Sequence, residues 1–231
     1  MIRARRWELA VAGIGLVGLL LWEWSGLDLA LTRAYGSHSG FAWRDAWLTS
    51  TLLHDGGRAL AWAVMALWLL TLALDGGLDR GLDRSRRLRW FGVALLCLLL
   101  VPALKQFAAS SCPWELQEFG GRVASYVPHW RLGVHDGGPG HCFPSGHAVA
   151  AFAFFAIYFE RRELRPFAAR WWLAGVCLAG ALFGWAQLAR GAHFASHTLW
   201  SAWLCWMVCV IAAQPYQSRA LRATRPGPMG T

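Results

Sequence analysis

The chain has 231 residues, of which 56% are hydrophobic, 14% aromatic and only 15% charged, with a mean hydropathy of +0.35 and a net charge of +9. So apolar a composition excludes an ordinary soluble domain of this length and points to a polytopic membrane protein. The basic charge calls for no nucleic-acid partner, because most of it falls in segments between apolar runs, where membrane topology accounts for it.

Six apolar runs follow in order, at 9–22, 59–74, 90–104, 148–159, 171–189 and 198–213. Several are shorter than the roughly 20 residues that cross a bilayer, but each extends through flanking Trp, Tyr, Gly or Ser. The expected fold is all-α, a polytopic bundle of six transmembrane helices. The first run follows Arg3, Arg5 and Arg6 and ends at Trp22-Glu23-Trp24 with no small-residue cleavage site, so it reads as an uncleaved helix. Arginines cluster at 3–6, 80–89, 161–170 and 219–225, alternate segments that the positive-inside rule makes cytoplasmic, together with both termini. These arginines are expected to face solvent or lipid headgroups.

The opposite segments have another character. All eight histidines, at 38, 54, 129, 135, 141, 147, 193 and 197, fall there, beside Lys105, the one lysine of the chain. Residues 25–57 are expected to hold a short amphipathic helix on the membrane surface, with no chemistry assigned. Residues 106–143, punctuated by Gly120, Gly121, Gly137, Gly138 and Gly140, read as a long loop. No internal repeat is evident. The chain reads as a single domain over 1–231, with a core at 7–213 and a disordered cytoplasmic tail at 214–231 containing Pro226 and Pro228.

Chemistry concentrates at Cys142-Phe-Pro-Ser-Gly-His147. Pro144 suits a helix entry, Ser145 an N-cap, Gly146 a close approach of backbone to ligand, and His147 proton transfer. A Pro-Ser-Gly run also simply starts a helix, and it gains meaning from Lys105 upstream and Arg190, His193 and His197 downstream. A spacing of four puts His193 and His197 on one face of a helix starting near Ala192, where one imidazole orients the other for nucleophilic attack. The same spacing suits a metal, with His141, His147 or Asp136 as further ligands, or two interfacial histidines packed among Phe194 and Trp200.

These motifs resemble the type 2 phosphatidic acid phosphatase superfamily of membrane lipid phosphatases. Its pattern is Lys, six residues, Arg-Pro; then Pro-Ser-Gly-His; then Ser-Arg, five residues, His, three residues, Asp. Lys105 and Pro113 match the first motif, with Cys112 in the arginine position. Pro144, Ser145, Gly146 and His147 match the second fully. His193 matches the histidine of the third, with Gln187 in the arginine position and His197 in that of the aspartate. The resemblance implies metal-independent phosphoryl transfer without a cofactor. His193 is the nucleophile, His147 the acid and base, His197 the orienting group, and Lys105, Ser145 and Gly146 hold phosphate. Arg190, one turn beyond Gln187, is the expected substitute for a missing arginine.

Of the six cysteines, Cys97, Cys177, Cys205 and Cys209 fall inside apolar runs as small inert side chains. Cys112 and Cys142 flank the outer loop, each beside a motif, where a disulfide in an oxidising periplasm would hold the motifs together. The expected location is a bacterial inner membrane, with the site facing the periplasm. The expected partners are membrane lipids and a lipid phosphate or lipid pyrophosphate substrate, with no protein partner. Two alternatives stay open: a phosphotransferase acting on lipid A or a polyprenyl carrier, and a non-catalytic metal-binding or transport protein.

Overall fold

A computed structural model describes residues 2–74, 83–131 and 133–223, with side chains over 6–74, 83–131 and 133–214. Helices dominate, in the order α1 (Ile2–Ser25), α2 (Leu27–Arg33), α3 (Gly57–Ala73), α4 (Arg84–Lys105), α5 (Gly146–Phe152), α6 (Phe155–Arg161), α7 (Pro166–Ala189) and α8 (Ala195–Ala223). A two-residue hairpin, β1 (Gly36–Ser37) with β2 (Gly40–Phe41), follows α2, and a π-helical stretch, Leu48–Gly56, runs directly into α3.

Five helical segments are long and apolar enough to cross a membrane: Arg6–Ser25, Leu48–Ala73, Arg84–Lys105, Pro166–Ala189 and Ala195–Gln214. The fourth expected helix differs. It is broken at Ala153–Phe154 into α5 and α6, and every residue from Ala151 to Glu160 is buried. A central element enclosed by α4, α7 and α8 is apolar on all sides, so its composition resembles a membrane span although its surroundings are protein.

Glycines let the helices approach. A Cβ on Gly180 would meet the Phe152 ring at 2.1 Å, and one on Gly184 would meet Thr198 Cγ2 at 2.4 Å, which brings α7 against α5 and α8. Three tryptophans of α8 tie it to antiparallel α1: the indole of Trp200 donates to Glu23 Oε1 (2.8 Å), that of Trp203 to the Ala12 carbonyl (2.9 Å) and that of Trp206 to the Glu8 carbonyl (3.1 Å).

Residues 25–57 do hold a short helix, α2, and from Leu48 the segment is helical and continuous with α3. Two expectations are corrected. Not all the clustered arginines are solvated: Arg86 and Arg87 are buried, Arg86 pairing with Glu163 at 2.7 Å and Arg162 with Glu8 at 2.9 Å. Pairing is what makes such burial tolerable. Helix α8 runs on to Ala223, so the expected tail is helical at its start; its remainder, 224–231, and Arg80 lie outside the described residues.

Candidate active site

The outer loop is closed at its base. His141 N donates to the Ala108 carbonyl (2.8 Å), Cys142 N donates to that of Ser110 (3.1 Å), and a disulfide joins Cys112 to Cys142 with their Cα atoms 5.1 Å apart. Asp136 accepts from Ser111 N (2.6 Å), Ser111 Oγ (2.8 Å) and Gly138 N (3.0 Å), so its oxygens are committed to the loop.

The Pro-Ser-Gly-His stretch is then fastened to α8. Ser145 caps α5, its hydroxyl accepting from Ala148 N at 3.4 Å. Ser145 N donates to the His197 carbonyl (3.3 Å), and the Ser201 hydroxyl reaches the carbonyls of both Ser145 (3.0 Å) and His197 (2.9 Å). A Cβ placed on Gly146 would meet nothing within 4 Å, so the backbone here faces open space.

His193 and His197 meet, but not on one helical face. Because α8 begins at Ala195, His193 lies in the turn before it and His197 in its first turn. The turn is held by Ala192 N and His193 N donating to the Gln187 carbonyl (2.9 and 3.2 Å). The two Nδ1 atoms are 3.4 Å apart, and Cys142 Sγ lies 3.7 Å from His193 Nδ1. Among the described residues, the hydrogen-bond contacts of the His193 ring are made through Nδ1. His193 is 3% exposed, and burial, then the charges of His197, Lys105 and His147, hold its imidazole well below the ordinary histidine range. Burial thus disfavours the charged form of this ring.

His147 Nε2 is buried without a hydrogen-bond partner. Lys105, Arg190 and Arg58 lie near enough for their charges to bear on the His147 ring. Arg190 caps α7 and donates from Nε to the Arg44 carbonyl (2.8 Å). Among the described residues the ligand-type atoms that converge are those of Cys112, Cys142 and His193, within 4.8 Å of one another. The two sulfurs are bonded to each other and offer no thiolate, so this set fits no metal while the disulfide stands.

Several residues to which sequence reasoning gave no role sit in the same region. The His54 ring stacks on that of His147, centroids 3.7 Å apart, and its Nδ1 lies 3.0 Å from Asp55 Oδ1. The π-helical turn carries this pair to α5, and such turns are frequent at functional sites. Asp28 accepts from Ser196 N (2.9 Å), Ser196 Oγ and the Trp22 indole (3.0 Å), anchoring the start of α8. Glu23 Oε1 lies 3.3 Å from His129 Nε2. The available signal was an acid in an otherwise apolar stretch, which in a membrane protein is a functional candidate by default.

Burial pushes His129 down to about 3, with the charge of His197 adding to the effect. The unfolded chain titrates near 6.5, so it binds protons that the folded chain refuses, and the contribution to stability is full above pH 6.5 and lost as pH falls towards 3. Thermal unfolding in detergent is accordingly expected at a lower temperature at about pH 4.5 than at about pH 7.5, with a smaller drop in His129→Gln. Equal drops in the two proteins would show that His129 is not responsible.

Fold and site together define a multi-pass helical membrane protein with a histidine-rich site at one end of the bundle. The sequence profile of the PAP2 superfamily matches residues 87–220, from α4 through most of α8. The chain belongs to the PAP2 superfamily, whose members carry out phosphatase-type chemistry on phosphate esters. It matches no curated protein and no solved structure at a significant level.

Proposed function

We propose that this protein is a metal-independent lipid phosphatase, hydrolysing a lipid phosphate or pyrophosphate on the periplasmic side of a bacterial inner membrane. In this reading the chain crosses six times with both termini in the cytoplasm, the broken α5–α6 segment serving as the fourth crossing. The observation that carries the reading is His193: buried, its positive form disfavoured, Nδ1 held against His197, and close to Lys105 and His147.

His193 Nε2 attacks phosphorus in line and forms a phosphohistidine, while the bond to the leaving oxygen breaks and His147 gives that oxygen a proton. Water then attacks the phosphohistidine, His147 takes its proton, and His193 and inorganic phosphate are released. Lys105, Arg190 and the Ser145 hydroxyl hold the phosphoryl oxygens, beside the open space at Gly146. Arg58 adds positive charge, and His54 stacks on the His147 ring, from a segment outside the matched motifs.

A lipid tail has a place to lie. A crevice of about 640 Å³ between α3, α5 and α7 runs from Gly57, three residues beyond His54, to Phe167, and its walls Leu60 and Trp171 are exposed at the bundle surface.

The test is phosphate release from a panel of lipid phosphates and pyrophosphates by detergent-purified protein in EDTA. Release is expected for at least one lipid; if phosphate appears only after a divalent metal is added, the metal-independent reading fails. Within this mechanism Arg190→Ala should lower kcat/KM by about 10²-fold, the loss of a charge-assisted phosphate contact worth about 2–3 kcal/mol. Equal rates for wild type and Arg190→Ala would remove Arg190 from the phosphate site.

A further inference from the structure

The superfamily pattern has an aspartate where this chain has His197, and an imidazole offers its neighbour no negative charge. A carboxylate nevertheless stands behind it. Glu23, at the outer end of α1, accepts from the Trp200 indole (2.8 Å) and lies 3.3 Å from His129 Nε2, the two side chains being 7% and 5% exposed. His129 stacks flat on Phe143 (3.8 Å, 7°) and meets the His197 ring edge-on, centroids 5.4 Å apart at 84°. Both ring nitrogens of His129 and Nε2 of His197 are buried, and none of the three has a hydrogen-bond partner. Three orphaned ring nitrogens on adjacent buried rings demand an explanation.

We propose that Glu23 and His129 are positioning residues that supply, two rings away, the carboxylate missing from position 197. The inference rests on the hydrolase reading with His193 as nucleophile. One proton per ring satisfies the whole chain of contacts. Glu23 accepts from His129 Nε2–H, leaving His129 Nδ1 as acceptor for His197 Nε2–H; His197 Nδ1 then accepts from His193 Nδ1–H, and the lone pair on His193 Nε2 is free to attack. As His193 becomes cationic on phosphorylation, the Glu23 carboxylate stabilises the charge along this line. Glu23 Oε1 and His129 Nε2 stand 3.3 Å apart without a hydrogen bond and the His129 and His197 ring centroids 5.4 Å apart, and catalytic contacts of this kind tighten when substrate binds. The other titratable groups facing His129 and His197 do not compete. Asp28 is engaged by Ser196 and Trp22, and burial beside Asp28 and Glu23 keeps the Tyr126 phenol protonated.

The experiment uses full-length protein in detergent. Glu23→Gln keeps the side-chain volume and the acceptor for Trp200 but removes the charge. It should lower kcat by at least about tenfold with KM nearly unchanged, the usual scale for a supporting residue. Adding His197→Asp should restore most of that loss, because a carboxylate beside His193 makes Glu23 dispensable. A Glu23→Gln protein as fast as wild type overturns the proposal, and so does a loss that His197→Asp does not repair, the result expected if the substitution merely unfolds the protein. A second readout needs no substrate: carbethoxylation of His193 by diethyl pyrocarbonate, followed by mass spectrometry, should be slower in Glu23→Gln and recover in the double variant. If wild type releases no phosphate from any lipid, the hydrolase reading fails and the labelling rates alone decide the role of Glu23, equal rates ruling it out.

Discussion

Replacing His193 by alanine is expected to lower phosphate release by about 10⁴-fold, the scale on which removal of a covalent nucleophile acts. The substitution removes little from the fold: the turn that carries His193 is held by backbone bonds to the Gln187 carbonyl, which alanine retains. The loss should therefore fall on kcat, with substrate still bound by Lys105 and Arg190. Rapid quenching of wild type with radiolabelled substrate should trap a phosphoenzyme that is labile in acid and stable in base, and His193→Ala should trap none. A His193→Ala protein turning over at the wild-type rate would sink the phosphohistidine mechanism.

The second large effect is on stability. The Cys112–Cys142 bond closes a loop with a sequence separation of 30 residues, for which chain entropy gives about 3–4 kcal/mol. The bond also lies beside His193, with Cys142 Sγ 3.7 Å from His193 Nδ1, and it joins the loop carrying the end of the first motif to the start of the second. Reductant should lower both the unfolding temperature and the activity of wild type. The double variant Cys112→Ser, Cys142→Ser should begin at the lowered values and show no further response. Wild-type protein indifferent to reductant in both assays would show that the bond contributes neither stability nor geometry.

Much of this site could be read from local sequence. Lys105, the Ser145–His147 run and His193 announce themselves by residue type and spacing, and the structure brings them to one end of the bundle together with Arg190 and His197. Other features were hidden because they depend on partners far along the chain. Asp28 meets Ser196, Glu23 meets Trp200 and His129, and His54 meets His147; none of these pairs shares a local period. The break between α5 and α6 was invisible for another reason. Hydropathy cannot tell a segment surrounded by protein from one surrounded by lipid, since both are apolar on every side. The start of α8 was misplaced by a similar effect: Phe194 continues the apolar pattern, but it is buried in a separate cluster with Phe41 and Leu116 and so belongs to the turn.

The three tryptophan bonds between α8 and α1 have a mechanical consequence. Glu8 is tied to Arg162 at one end of α1 and Glu23 to Trp200 at the other, and the fifteen helical rises from one to the other span about 22 Å. Helix α1 is thus a strut pinned at both ends. It cannot slide along its axis without breaking a buried polar contact at each tip. When the bilayer thins or thickens, lipid must deform around this strut, and the contacts around Glu23 keep their register.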